Sequence, residues 1–307
     1  MGVLQIRNER YALGTHTLVG RTSRCALRLD DRQVSSEHAS LRWSDGAWQL
    51  RDLGSRNGTF LDGSPLEPGR ARVIVVGSLV RLGTQLVATI LDAGPPEPAA
   101  TEVANAALTV ATGGLLALPG PDDPRAVVFE EADGSWLLEV DGEPVVLGED
   151  RRVVVGDRVW VLHLPLSSCA EEVLPTLDGA VLPRLDNSTL HFRPSADQEQ
   201  VDVRLSWPGG DIPLSSRSHL FLMLELARTR LADVAAGVRA SEVGWRYVDE
   251  LQRALQLEPA VLNLHLFRAR EQLTQAGLEG AGRLFERRRQ SGQVRLALEQ
   301  VTVSAAD

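Results

Sequence analysis

The chain has 307 residues, 43% of them hydrophobic, a net charge of −9 and two cysteines, Cys25 and Cys169. That length suits two or three domains, and the composition excludes a disordered chain. Two cysteines exclude a disulfide framework and make a reducing cytoplasm the expected compartment. No run approaches a membrane span and Met1–Arg10 lacks a signal-peptide pattern, so no membrane partner is expected.

Charge is spread unevenly. Residues 1–92 hold 12 Arg against 9 acidic residues, residues 93–182 hold 4 against 16, and residues 183–307 hold 16 of each. The first segment attracts anions and the second repels them. Every cationic residue is Arg, whose planar fork suits phosphate.

Residues 1–92 alternate short Val/Leu/Ile runs with polar turns, which predicts an all-β sandwich. The Pro- and Ala-rich stretch 93–103 reads as a linker. Residues 104–166 again read as strands and echo the first domain in order: "WSDGAW" by "EADGSW", "LDGSPL" by "VDGEPV", and "VVGSLVRL" by "VVGDRVWVL". The echo lacks the segment in which "GSRNGTF" falls. A second linker is expected over 167–183.

Beyond it the period changes. "TLHFR" and "VDVRLSW" read as strands, and Ser215 or Ser216 is the expected cap of a helix with Leu220, Phe221, Met223, Leu224 and Ala227 inward. A second helix is expected over Val248–Leu255. A third starts at Pro259 and stops near Gly277, with Leu262, Leu266, Ala269 and Leu273 as its buried stripe. An Arg-rich hairpin follows, and 301–307 is a tail.

Three pieces of the first domain combine: "VGR" with Gly20 and Arg21, "VSSEH" with Ser35, Ser36 and His38, and "SRNGT" with Arg56, Asn57, Gly58 and Thr59. Singly each is a common turn word; in this order, over residues 1–92, they resemble the forkhead-associated (FHA) domain. The resemblance implies a β-sandwich whose loops bind phosphothreonine peptides. It makes Arg21, Ser35, Ser36, Arg56 and Asn57 the phosphopeptide contacts, and Gly20, His38, Gly58 and Thr59 the structural set. A phosphate carrying about −1.5 to −2 charges suits a bidentate Arg. The middle segment keeps none of these words and reads as a degenerate FHA-like β module.

Residues 184–300 resemble the winged-helix effector domain of OmpR/PhoB-type response regulators, through "IPLSSRSHLFLMLELA", "VDELQRAL", "LNLHLFRAREQL" and "RRRQSGQVRL". That implies a helix reading the major groove beside a hairpin wing. Asn263, Phe267, Arg268, Arg270, Arg287, Arg288, Arg289 and Arg295 are then the candidate DNA contacts. Asn263, Phe267 and Arg270 share one face, on which Phe267 reads as exposed.

The fold class expected is thus an all-β FHA sandwich, a second degenerate module and an α+β winged helix-turn-helix. The expected partner is a phosphothreonine-containing protein, either a kinase or a kinase substrate. DNA is a second candidate, which would make the chain a regulator coupling Ser/Thr kinase signalling to transcription. The alternative is an adaptor whose winged helix binds proteins. Thr101, in the linker, is a possible internal phosphosite. The histidines lack metal-ligand spacing, and neither a Gly-rich phosphate loop nor a nucleophile motif occurs. No enzyme activity, metal or cofactor is expected.

Overall fold

The computed structural model describes residues 1–131, 133–145, 147, 151–165, 181–288 and 291–304. Contacts divide the chain into two units, residues 1–111 with 150–166, and residues 112–149 with 167–307.

In the first unit eleven strands precede residue 94: β1 (Gly2–Ile6), β2 (Glu9–Ala12), β3 (His16–Gly20), β4 (Leu27–Arg28), β5 (Ala39–Ser44), β6 (Ala47–Asp52), β7 (Thr59–Leu61), β8 (Ser64–Pro65), β9 (Ala71–Ile74), β10 (Leu79–Leu82) and β11 (Leu86–Ala93). They form two sheets, β2-β1-β11-β10-β7-β8 and β4-β3-β5-β6-β9. Side chains of β1 and β11 alternate between buried and more exposed, the period-2 pattern of sheets with one dry face. Leu4, Leu41, Trp48, Leu50, Ile74, Val80 and Ile90 meet in a single core. Trp48 is fully buried; its Nε1–H donates to the Gly94 carbonyl at 2.8 Å, and its ring meets Trp43 edge-on at 5.5 Å. A buried indole N–H needs such a partner.

The stretch 93–103 departs from the linker expected there. Ala99–Glu102 is a strand, β12, and Ala99 and Ala100 are wholly buried. Alanine has low strand propensity, but tertiary packing overrides it where only a small side chain fits. Thr101 lies inside this strand with its Oγ1 2.8 Å from His163 Nε2, so it is no exposed linker phosphosite. β12 pairs with β13 (Leu108–Val110) and β19 (Arg158–His163), and β19 with β18 (Arg152–Val155).

In the second unit β14 (Leu116–Gly120), β15 (Asp123–Glu130), β16 (Trp136–Val140) and β17 (Glu143–Val145) form an antiparallel sheet in chain order. Residues 104–166, read from sequence as one module, are therefore shared between the units. The sheet orders nonetheless echo the first domain: β13-β12-β19-β18 parallels β2-β1-β11-β10, and β14-β15-β16-β17 parallels β3-β5-β6-β9. Among the described residues no strand in this echo stands for β7 or β8.

Of the three repeated words, only "WSDGAW" and "EADGSW" fall on equivalent hairpins, β5–β6 and β15–β16. "LDGSPL" turns β7 into β8, whereas "VDGEPV" turns β16 into β17. "VVGSLVRL" leads from β9 into β10, whereas "VVGDRVWVL" turns β18 into β19. Asp62-Gly63 and Asp141-Gly142 all have positive φ, so the recurrence of Asp-Gly reflects what a two-residue hairpin demands.

Among the described residues the rest of this unit holds a four-stranded sheet, three α-helices, two short 3-10 turns and a small second sheet. β20 (Thr189–Pro194), β21 (Val201–Trp207) and β22 (Gly210–Leu214) are antiparallel, and β26 (Gln300–Val303) joins β20 in parallel. α1 (His219–Ala235) has Ser218 at its N-cap position, without a side-chain cap bond, so neither Ser215 nor Ser216 caps the helix. Leu220, Leu222, Met223, Leu224, Leu226 and Ala227 are buried and Phe221 is half-buried, a wider apolar surface than one stripe. That is the pattern of a helix covered on several sides. α2 (Val248–Leu255) ends on left-handed Gln256, and α3 (Pro259–Gln275) starts on proline and is followed by Gly277 at φ +85. Leu262, Leu266, Ala269 and Leu273 of α3 enter the core. β23 (Arg246–Tyr247), β25 (Gln293–Leu296) and β24 (Phe285–Arg288) form the last sheet. Among the described residues no helix is long and apolar enough to cross a membrane.

Candidate functional site

The loops after β3, before β5 and between β6 and β7 converge at one end of the first domain, and main-chain bonds tie them together. The Arg21 N–H donates to the Ser35 carbonyl at 3.0 Å and the Thr22 N–H to the Ser36 carbonyl at 3.2 Å. Gly20 is required by this approach: a Cβ there would stand 2.4 Å from the Ser36 carbonyl oxygen and 2.7 Å from Cys25 Sγ. Arg56 N–H donates to Ser35 Oγ at 3.0 Å, and Asn57 Nδ2 donates to the Gln33 carbonyl at 2.9 Å. Ser35 Oγ thus accepts from its own framework and keeps its hydroxyl hydrogen for a ligand.

Two buried residues hold these loops. The His38 ring is fully buried, and its Nδ1 accepts from the Ser35 N–H at 3.0 Å. Nε2 therefore carries the hydrogen and donates to the Gly58 carbonyl, 3.2 Å away. Burial lowers the pKa of this imidazole, against the opposing pull of the Gly58 carbonyl and Asp52. Asp52 accepts from the N–H groups of Gly54 and Ser55 and from the hydroxyls of Ser55 and Thr59, both hydroxyls at 2.6 Å. Burial alone would raise its pKa; these donors outweigh burial and hold it below the usual carboxylate range. Gly58 has φ +76, where glycine is unstrained.

Arg21, Arg56, Asn57 and Ser36 are exposed around half-buried Ser35. Among the described residues no acid forms an ion pair with Arg21 or Arg56. The result is a polar tip with two guanidiniums free of ion pairs, a hydroxyl and an amide, an arrangement able to receive an anion. Sequence reasoning passed over Asp52 and Gln33, whose hydrogen bonds set the loops. Asp52 followed by Leu53-Gly54 was the available signal, since an Asp side chain in a turn accepts from the N–H two residues on, here that of Gly54.

The second set of candidates is not open. Phe267 is 3% exposed and packs on Leu115, Ala117, Val127 and Phe129, contrary to its expected exposure. Arg270 is 1% exposed and makes a bidentate pair with Glu139, at 2.9 and 3.1 Å, with its guanidinium 4.6 Å from the Phe129 ring centre. Arg287 Nε stands 3.8 Å from Glu139 Oε1, and Arg287 also donates to Asn263 at 3.3 Å. Arg268 pairs with Asp122 and Glu271. Arg288 and Arg295 flank the Trp245 ring and pair with Glu242 and Glu286. Arg289 lies outside the described residues, as do Cys169 and most of the second linker. Sequence could not show this cover, because β14–β17 lie more than a hundred residues before α3.

Residues 17–83 match the family model described as the FHA domain, so this part of the chain is an FHA domain. Two curated relatives match the same region. One is the FHA domain-containing protein FhaB of Mycolicibacterium smegmatis, 35% identical over 83 residues, 27% of this chain and 52% of the relative. The other is the oxoglutarate dehydrogenase inhibitor of Corynebacterium glutamicum, 35% identical over 81 residues, 26% of this chain and 53% of the relative. The chain thus spans about half the length of these relatives. A solved chain from a study of phosphothreonine-dependent FHA domain interactions is 27% identical and covers 29% of this chain and 95% of its own, with a TM-score of 0.27.

Proposed function

We propose that this chain is a phosphothreonine-dependent regulator: its FHA domain (residues 1–92) docks a phosphorylated protein, and residues 184–300 form a winged helix that acts on DNA. The observation that supports the first part is the convergence of Arg21, Ser35 and Asn57 on one exposed loop end, each fixed by a buried framework. Arg21 and the Ser35 hydroxyl take the phosphate. Ser36 adds a second hydroxyl beside it. Asn57 and Arg56 hold the ligand main chain and its flanking residues. A bidentate, charge-assisted pair to a phosphate is among the stronger hydrogen-bonded contacts available. Binding of a phosphothreonine peptide library to the full chain tests this. Phosphorylated peptides bind wild type and are lost in Arg21→Ala; equal binding of unphosphorylated peptides would overturn the reading.

For the second part, the support is the order of elements: a four-stranded sheet with β20–β22, three helices with an apolar stripe on α3, and the β24–β25 hairpin. In the same reading residues 104–166 are a second FHA copy without the β7–β8 segment, which leaves it no phosphate-reading loop. An adaptor that binds proteins through this half is the second reading, and the equal count of 16 Arg and 16 acidic residues in 183–307 favours it, because DNA binding draws on a basic excess. Salt-dependent retardation of duplex DNA by the full chain separates the two.

A further inference from the structure

The face of α3 that would meet DNA is closed by β14–β17, and the closure is specific. Asn263, Phe267 and Arg270 are spaced four and three residues apart, so they form one face. Each is met by the sheet: Phe267 by Leu115, Val127 and Phe129, Arg270 by Glu139, and Asn263 by the turn at Gly142. Gly142 has φ +85, and a Cβ there would stand 2.6 Å from Asn263 Oδ1 and 2.9 Å from an Arg287 nitrogen. Its backbone lies directly on the two polar side chains.

At ion-pair distance the centre holds more guanidinium than carboxylate, with Glu143 a more distant attraction on Arg287. Two guanidiniums, with side chains 1% and 7% exposed, share the single carboxylate of Glu139. The Nε atoms of both Arg270 and Arg287 are buried without a hydrogen-bond partner. Such a pair of forks is better matched by the oxygens of a phosphate than by one carboxylate. The cover is also the acidic part of the chain, and its Asp122 reaches Arg268 at 2.9 Å.

We propose that Asn263, Arg268, Arg270 and Arg287 form a phosphodiester-binding face for duplex DNA, and that β14–β17 is its intrachain cover, with Glu139 standing where a DNA phosphate goes. This rests on the DNA reading above. DNA and the cover compete for the same guanidiniums, so the closed chain binds DNA weakly and any change that opens the sheet strengthens binding. A ligand that favours the open state gains only what the closed state withholds.

The test uses the full chain, a mixed-sequence duplex probe and a salt series, with amide exchange over α3 as a direct measure of opening. Glu139→Arg repels both guanidiniums, whereas Gly142→Val leaves every charge in place and opens the turn by strain and contact. Phosphopeptide binding by the FHA domain reports that each variant is folded in its first unit, and far-UV circular dichroism reports the second. Both variants are expected to show faster exchange in α3 and salt-sensitive DNA binding about tenfold or more tighter than wild type. Wild type binding DNA as tightly as the variants would overturn the cover and leave the DNA reading standing. Faster exchange without gained DNA binding would overturn the proposal together with the DNA reading. Unchanged exchange in both variants would show that the sheet is a fixed part of the fold and overturn the cover.

Discussion

The chain carries arginine in two opposite states. At the loop end of the FHA domain Arg21 and Arg56 stand in solvent without an ion-pair partner, held by their main chains only. On α3 and β24, Arg270 and Arg287 are buried against Glu139 under a sheet. The same side chain that stands open to solvent in one place makes an internal joint in the other. Neither state follows from the residue type; each follows from what the fold stacks over it. Strength differs accordingly. An exposed guanidinium keeps its hydration until a ligand arrives, whereas a buried one depends on its partner from the moment of folding.

Removing that partner is the largest way to break the comparison. Glu139→Ala leaves two buried guanidiniums uncompensated and is expected to destabilise the second unit by about 3–5 kcal/mol. Chemical denaturation of the full chain, followed by circular dichroism, checks it. A change within about 0.5 kcal/mol, the size of a surface substitution, would mean that the pair is not buried in solution. Gly20→Ala comes next. The new methyl has backbone oxygen within 2.4 Å, so the loops after β3 and before β5 must part, at about 1–3 kcal/mol for overpacking. Phosphopeptide affinity is expected to fall with stability, even though Gly20 carries no side chain to touch a ligand.

Loss of the Asp52 framework is expected to cost about 1–3 kcal/mol, because Asp52→Ala strands the Thr59 and Ser55 hydroxyls and two N–H groups. A thermal melt of the full chain checks it, and peptide affinity should fall more than stability, since Ser55 begins the loop that carries Arg56 and Asn57. The smallest effect expected is a pH dependence. His38 is neutral in the fold and its pKa lies below the free value of about 6.5. The stability it contributes is fully present above about pH 6.5 and is lost as pH falls from there toward its folded pKa, since the unfolded chain then binds the proton more readily. Melts at pH 7.5 and 5.5 should show a drop that His38→Asn reduces.

Much of the first domain was legible because turns and alternation are local. "VGR", "VSSEH" and "SRNGT" announce loops, and the strands between them alternate cleanly. Strand β12 was not legible: Pro and Ala mark a linker by composition, and only the wholly buried environment of Ala99 and Ala100 makes them strand residues. The repeat was legible in kind but not in register, because Asp-Gly recurs wherever a hairpin needs positive φ. The helices of the C-terminal half followed from Pro259, Gly277 and the 4-3-4 stripe. The state of Arg270 and Phe267 did not, since amphipathic periodicity shows a helix having two faces and not what covers the second. Glu139, one acid among many in an acidic segment, had no local mark of its role.

The most direct measurement is a calorimetric titration of the full chain with a phosphothreonine peptide selected from a library, for wild type, Arg21→Ala and Arg268→Ala. Loss of a charge-assisted pair at Arg21 should cost about 1.5–3 kcal/mol, roughly 10- to 150-fold in affinity, whereas Arg268→Ala should leave it unchanged. The unphosphorylated peptide should not bind. Undiminished binding by Arg21→Ala, or a loss equal to it in Arg268→Ala, would contradict the assignment of the phosphate site to the FHA loops.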